Sequence, residues 1–185
     1  MRKLFYAVLL GLVGLVGAGI VHILVLMMVP ELSERDAWSR LSMASDLYRM
    51  TPLEAESGGQ PVVKSVDPLF LAAACRFDLN DGIVHVQAAG KVPFWSVSVY
   101  DRNGHNIYSF NDHSAASGTL DTVVLTPAQM LEVRRQLPDD LDGSIFVETP
   151  IGEGIVVLRA FVPDESWRPA VSRFLEQSAC TLKEL

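Results

Sequence analysis

Phe94 to Tyr100 (FWSVSVY), followed by Asp101-Arg102-Asn103-Gly104, decides how this chain is read. Trp95, Val97 and Val99 alternate with Ser96 and Ser98, the two-residue period of a strand with one buried face. The Asp-Arg-Asn-Gly turn then leads into a second strand, His105 to Phe110. Upstream, Cys75, Phe77 and Leu79 alternate with Arg76 and Asp78, and Asn80-Asp81-Gly82 predicts a hairpin into Val84, Val86 and Ala88. Downstream, Thr126, Pro127 and Gln129 spell a capped helix start. Met130, Val133 and Leu137 form the buried stripe of that helix, and Pro138 ends it. Two further strands, Ser144–Thr149 and Ile155–Val162, flank the turn Ile151-Gly152-Glu153-Gly154. A last helix near Trp167–Ala179 brings Cys180 to the body. The pattern is mainly β: an antiparallel sandwich or barrel-like domain with a few flanking helices.

A different kind of segment precedes it. Leu4 to Val29 is a charge-free apolar run directly behind Arg2 and Lys3. As a helix its roughly 26 residues reach about 39 Å, enough to cross a bilayer core of about 30 Å. The run is too long for a signal-peptide core and no A-x-A site follows, so it reads as one uncleaved transmembrane anchor. The basic pair tight against its start predicts a cytoplasmic N-terminus and an exported C-terminal domain. Ala7, Gly11, Gly14, Ala18 and His22 share one helix face, where small side chains let another helix approach. Ser33 to Asp36 resembles a capping box and opens a juxtamembrane helix carrying Trp38, Leu41, Ser45 and Tyr48, expected to end near Met50. Glu54 to Pro61 is polar and glycine-rich, a linker. The chain thus divides into an anchor (1–30), a juxtamembrane helix and linker (31–61) and an exported β domain (62–185).

Composition narrows the function. Beyond Pro30 stand 13 basic and 22 acidic residues, a net −9. That charge repels phosphate backbones and argues against nucleic acid as a partner. Membrane lipid, through the anchor, and another membrane or envelope protein are the expected partners. Cys75 and Cys180 are either a bridge, expected in an oxidising space, or two buried free thiols.

Chemical motifs are sparse. Asp101 and Asn103 open like an EF-hand loop, but Gly104 comes too early, and turn formation is the simpler role. His85, on the face opposite Val84 and Val86, should point to solvent. His85, His105 and His113 lack metal-ligand spacing, so neither a metal nor a cofactor is expected. There is no nucleophile elbow, and Asp112, His113, Ser114 and Ser117 are neighbours only in sequence. Aromatics on the paired strands either stabilise the sheet as cross-strand pairs, the simpler reading, or line a ligand groove, for which Trp95, Tyr100, Asp101, His105 and His113 are the candidate binding residues.

Pro93 to Gly104 (PFWSVSVYDRNG), continuing to Asn111-Asp112, resembles a signature of the bacterial exported family catalogued as domain of unknown function 1254. Leu158 to Pro163 (LRAFVP) is similar to the closing strand of its sister family, 1214. The resemblance spans roughly Val66 to Trp167 and implies a β-rich exported module without an assigned activity. Larger members have two such β domains, and this chain has room for one. The expected protein is a single-pass bacterial inner-membrane protein with a periplasmic domain, binding or scaffolding rather than catalytic. A carrier or sensor of a small apolar or glycan ligand is the alternative, and a hydrolase the third reading.

Overall fold

The computed structural model describes residues 2–54, 62, 67–115 and 118–184. They divide into two compact units, Met1–Asp36 and Ala37–Leu185. The first belongs to helix α1 (Arg2–Ala44), whose segment Arg2–Met28 is long and apolar enough to cross a membrane. The helix runs through Ser33 without a fresh start, because a capping box is a preference of about 1 kcal/mol and yields to a continuous backbone ladder. It ends at Ala44, six residues before Met50. There the chain turns away, with Tyr48 in the left-handed region (φ 59°) and its hydroxyl 2.9 Å from Asp78 O. The predicted linker, apart from Glu54, lies outside the described residues, as does Ser117.

The second unit is a sandwich of two sheets. Sheet A orders its strands β1 (Thr51–Pro52), β2 (Phe70–Asp78), β8 (Glu153–Phe161), β4 (Trp95–Asp101) and β5 (Asn106–Asn111), all antiparallel. Sheet B orders β7 (Ile145–Glu148), β6 (Leu120–Leu125), β3 (Ile83–Ala88) and β9 (Ala179–Lys183). Among the described residues only β6 and β7 pair in parallel. The body therefore takes in residues ahead of 62: β1 pairs with β2, and Leu41 is buried against Ala74 and Ile155.

One expected strand pairing differs. Asn80-Asp81-Gly82 does not close a hairpin: β2 belongs to sheet A and β3 to sheet B, so the turn carries the chain across the core. Gly82 is still required, at φ 152°, since a Cβ there would stand 2.5 Å from Lys183 O of β9. The Ile151–Gly154 turn likewise links β7 in one sheet to β8 in the other. A turn motif reports a reversal of direction, and a sandwich can use a reversal to change layers. The β4–β5 hairpin forms as read, around Gly104 at φ 85°.

Inside, Trp95, Val97 and Val99 meet Phe77, Leu158, Val84 and Val86 at nearly zero exposure. Cys75 of β2 and Cys180 of β9 are bonded across this core, 105 residues apart in sequence. A second apolar cluster covers the outer face of sheet B. Helix α2 (Pro127–Arg135) packs Met130 and Val133 onto Ile83, Val123 and Leu125, joined by Leu141. Its capping box is present as read, with Thr126 Oγ1 accepting from Gln129 N. Leu137 lies beyond the helix end and is exposed; Leu141, in a short 3-10 turn, fills the place assigned to it. Helix α3 (Arg168–Glu176) adds Val171, Phe174 and Leu175 to the main core.

Closing a loop of about 100 residues is worth about 4–5 kcal/mol in the chain-entropy model. The Cys75→Ala/Cys180→Ala double variant should lose stability of that order, read as a lower urea midpoint than the oxidised wild type. Equal midpoints would show that the bridge contributes nothing.

Candidate functional site

Two polar constellations stand on the sandwich, one on each outer face. On sheet A, strands β4 and β8 turn Ser96, Ser98, Tyr100 and Arg159 outward, while β5 adds Ser109 and Asn111. Asn106 Nδ2 donates to Ser109 Oγ (2.8 Å), which donates to Ser98 Oγ (2.9 Å), and Arg159 reaches the Tyr100 hydroxyl at 3.4 Å. Burial would raise the Tyr100 phenol, but the hydrogen bond with Ser98 and the Arg159 charge bring it below its ordinary value. Beside this row the rings of Phe70, Phe94 and Phe161 cluster, 5.3–6.4 Å between centroids.

At the hairpin end, Asp101 Oδ1 accepts from the backbone N–H groups of Asn103 and His105, and its Oδ2 lies 2.9 Å from His105 Nδ1. Burial is outweighed by these bonds from His105 and Asn103, so the carboxyl stays below the usual range. That is the chemistry of a self-satisfied turn. The structure thus brings Asp101 and His105 together, while Tyr100 belongs to the row with Ser98 and Arg159. His113 lies at the opposite end of β5, in the turn Asp112–Ser114, with its side chain turned outward. Trp95 joins neither group: it is buried in the core, edge-on to Phe110, and its Nε1 donates to Gly118 O.

On sheet B the sequence reading misplaced His85. It is 2% exposed, with Nε2 2.8 Å from Asp121 Oδ1. The reason is the second core: α2 and the Asp139–Leu141 turn cover the face that plain alternation assigns to water. Asp121 also accepts from Ser144 Oγ at 2.6 Å and Gln87 Nε2 at 3.1 Å. These donors, Ser144 foremost, outweigh burial and depress its carboxyl. Asp121, Ser144 and Gln87 carried no sequence motif. The available signal was the row Ile83, His85, Gln87 opposite an amphipathic helix that needs a face to cover. Ser144 donates to the carboxylate rather than to the imidazole, so the trio is not a nucleophile paired with a base. Among the described residues no three His, Cys, Asp or Glu side chains gather to hold a metal ion. Along α1, a Cβ added at Gly11 or Gly14 would meet no atom within 4 Å, and Ala18 and His22 are exposed.

The fold is that of a disulfide-tied β-sandwich module behind an apolar helix. The family model described as protein of unknown function DUF1254 matches residues 47–182, and the chain belongs to that family. Among solved structures, the VPA0106 protein of Vibrio parahaemolyticus is similar over 84% of this chain and 36% of its own, at 9% identity and a TM-score of 0.59. An uncharacterized protein from Burkholderia cenocepacia matches over 76% of this chain and 38% of its own, at 13% identity and a TM-score of 0.45. The chain therefore spans little more than a third of either protein, and the first likeness supports the fold alone. No curated protein matches the chain.

The depressed Asp121 carboxyl gives a pH dependence with a definite sign. Its contribution is complete above the unfolded carboxylate pKa, near 4, and is lost as pH falls through the lower folded value. Asp121→Ala should cost at least about 2 kcal/mol at pH 7, since one hydrogen bond to a charged group is worth about 1.5–3 kcal/mol and Asp121 makes three. The wild-type-to-variant gap should narrow below about pH 4 in urea titrations. A gap independent of pH would remove the charge from the explanation.

Proposed function

We propose that this protein is a single-pass membrane-anchored module of the bacterial envelope, whose DUF1254 domain works outside the cytosol by binding rather than by catalysis. The observation that carries the reading is the buried Cys75–Cys180 bridge behind a charge-free helix. Structural disulfides persist in oxidising compartments and are rare in the cytosol. The basic pair Arg2-Lys3 before the helix favours the same orientation. A binding role draws support from the polar groups themselves. Asp101 satisfies its own turn, Asp121 takes three side-chain donors, and neither arrangement leaves a hydroxyl set against a base. The sandwich interior is filled by Trp95, Phe77, Leu158 and the bridge, so a partner is received on the outer surface or at a strand edge.

The test is topological. The full chain, expressed in bacterial cells, should fractionate with the inner membrane, start at its own N-terminus and lose its domain to protease added to spheroplasts. A soluble polypeptide beginning after Met28 would make the helix a cleaved signal sequence. A domain left intact in spheroplasts would place it in the cytosol. Either result overturns the reading.

A further inference from the structure

Among the described residues three strands carry a lysine or arginine: Arg76 on β2, Arg159 on β8 and Lys183 on β9. Two of them are occupied. Arg76 donates to Ser45 O and lies over the Trp38 ring, and Lys183 pairs with Asp140. Arg159 is exposed on the outer face of sheet A, and among the described residues it bonds only the Tyr100 hydroxyl, with no carboxylate beside it. Across the strands it faces Ala72 on β2 and Ser96 on β4, side chains too short to cover a guanidinium.

The groups around Arg159 offer protons. Asn106 Nδ2 donates to Ser109 Oγ and Ser109 donates to Ser98 Oγ. Ser98 and Arg159 then both bond the Tyr100 hydroxyl oxygen. The row ends there, so the Tyr100 proton is left for a further acceptor, as are most of the five guanidinium N–H groups. Ser96, directly opposite Arg159, has no hydrogen-bond partner among the described residues. Free donors with no acceptor among them suit an anion. A single guanidinium supplies one positive charge, which fits a monoanion, and its planar fork fits a carboxylate. The net −9 beyond Pro30 opposes any anion at long range. Physiological salt screens exposed charges beyond about 8 Å, however, so the immediate neighbours decide. Ala72, Ser96, Val157 and Phe161, which adjoin Arg159 on this face, include no acid.

One step further along the same face the surface becomes aromatic. Phe161 and Phe94 lie two residues from Arg159 and Ser96, and Phe70 stands opposite Phe161. The three rings are half-buried, Phe70 edge-on to Phe94 at 6.4 Å and tilted against Phe161 at 5.3 Å. Two residues along a strand span about 7 Å, so donors and rings fall within reach of one small molecule. Aromatic rings add tilted neighbours at these separations readily.

We propose that this face binds a small monocarboxylate bearing an aromatic ring, its carboxylate held by Arg159, Tyr100 and Ser96 and its ring laid against Phe161 and Phe94. The proposal rests on the binding reading above and names its ligand class. It also sets the anchor at Arg159 rather than at the Asp101–His105 turn, whose groups satisfy one another.

The full chain in lipid nanodiscs, titrated with para-fluorobenzoate, should give a saturable shift of the probe's fluorine NMR signal. The uncharged para-fluorobenzamide should bind at least about tenfold more weakly, and so should the benzoate to Arg159→Gln and to Tyr100→Phe, since each change removes a charge-assisted hydrogen bond. Arg134→Gln, at an exposed arginine on α2, should bind like the wild type. No saturable shift up to about 10 mM, where binding would be worth less than about 3 kcal/mol, overturns the proposal. So does equal affinity for the amide, equal loss in Arg134→Gln, or displacement of the benzoate by an equal concentration of inorganic phosphate. Protease and N-terminal readouts of topology are independent of all these, so a failed ligand leaves the envelope reading standing.

Discussion

The covalent tie between Cys75 and Cys180 holds together parts of the molecule that little else secures. Among the described residues β9 has five residues and a single neighbour in β3. The bridge fixes that strand to the middle of the opposite sheet. Near the other end of β9, Lys183 O closes over Gly82, so the β2-to-β3 crossing and the last strand occupy one tight volume. Without β9, the hydrogen-bonding edge of β3 and the crossing would open to water, and Val86 would lose its neighbour Cys180.

The two sheets are covered unequally, and this decides where chemistry can reach solvent. Sheet B has an apolar layer on each side, the main core within and the α2 cluster without. Its polar residues gather at the end that α2 leaves uncovered, around Asp121. Sheet A has one apolar layer inside. Outside, Trp38 and Leu41 cover only the part near Ala74 and Ile155. The β4–β5 half keeps polar side chains and Arg159 on its outer face, which is why the candidate residue His105 is exposed, Tyr100 and Asp101 are half-buried beside it, and Trp95 is buried.

Much of this was legible in the sequence because it is local. Alternation located β2, β3, β4, β5, β7 and β8, and the Thr126 capping box located α2. The two-residue period in FWSVSVY put Trp95, Val97 and Val99 on one face, but it did not say that face was buried, so Trp95 stood among the candidate binding residues. Layer membership was not legible, because an inward-facing row looks the same in either sheet. Asn80-Asp81-Gly82 therefore reads as a hairpin and serves as a crossing, as the Ile151–Gly154 turn also does. β9 (ACTLK) escaped notice because an edge strand at a terminus carries too little apolar alternation to stand out. His85 was misread for a related reason. Alternation says which residues share a face, but only the placement of α2 says whether that face is wet.

The junction of α1 with sheet A sets strain against contact. Tyr48 in the left-handed region costs roughly 1–2 kcal/mol, and Arg76 Nε is buried without a hydrogen-bond partner, costing about 1–3 kcal/mol. Against these stand the Arg76 Nη2 bond to Ser45 O at 2.7 Å, the Tyr48 hydroxyl between Asp81 and Asp78, and Arg76 and Arg102 over the Trp38 ring at 5.2 and 5.4 Å. A cation over an indole contributes about 0.5–2 kcal/mol, and a hydrogen bond to a charged group, such as those of Arg76 and Asp81, about 1.5–3 kcal/mol. These contacts offset the strain at Tyr48 and the unpaired Nε. Burial of Leu41 with Ala74 and Ile155 adds about 1.5–3 kcal/mol for a leucine taken fully out of water. The polar contacts decide where the helix end sits, and the leucine keeps it there.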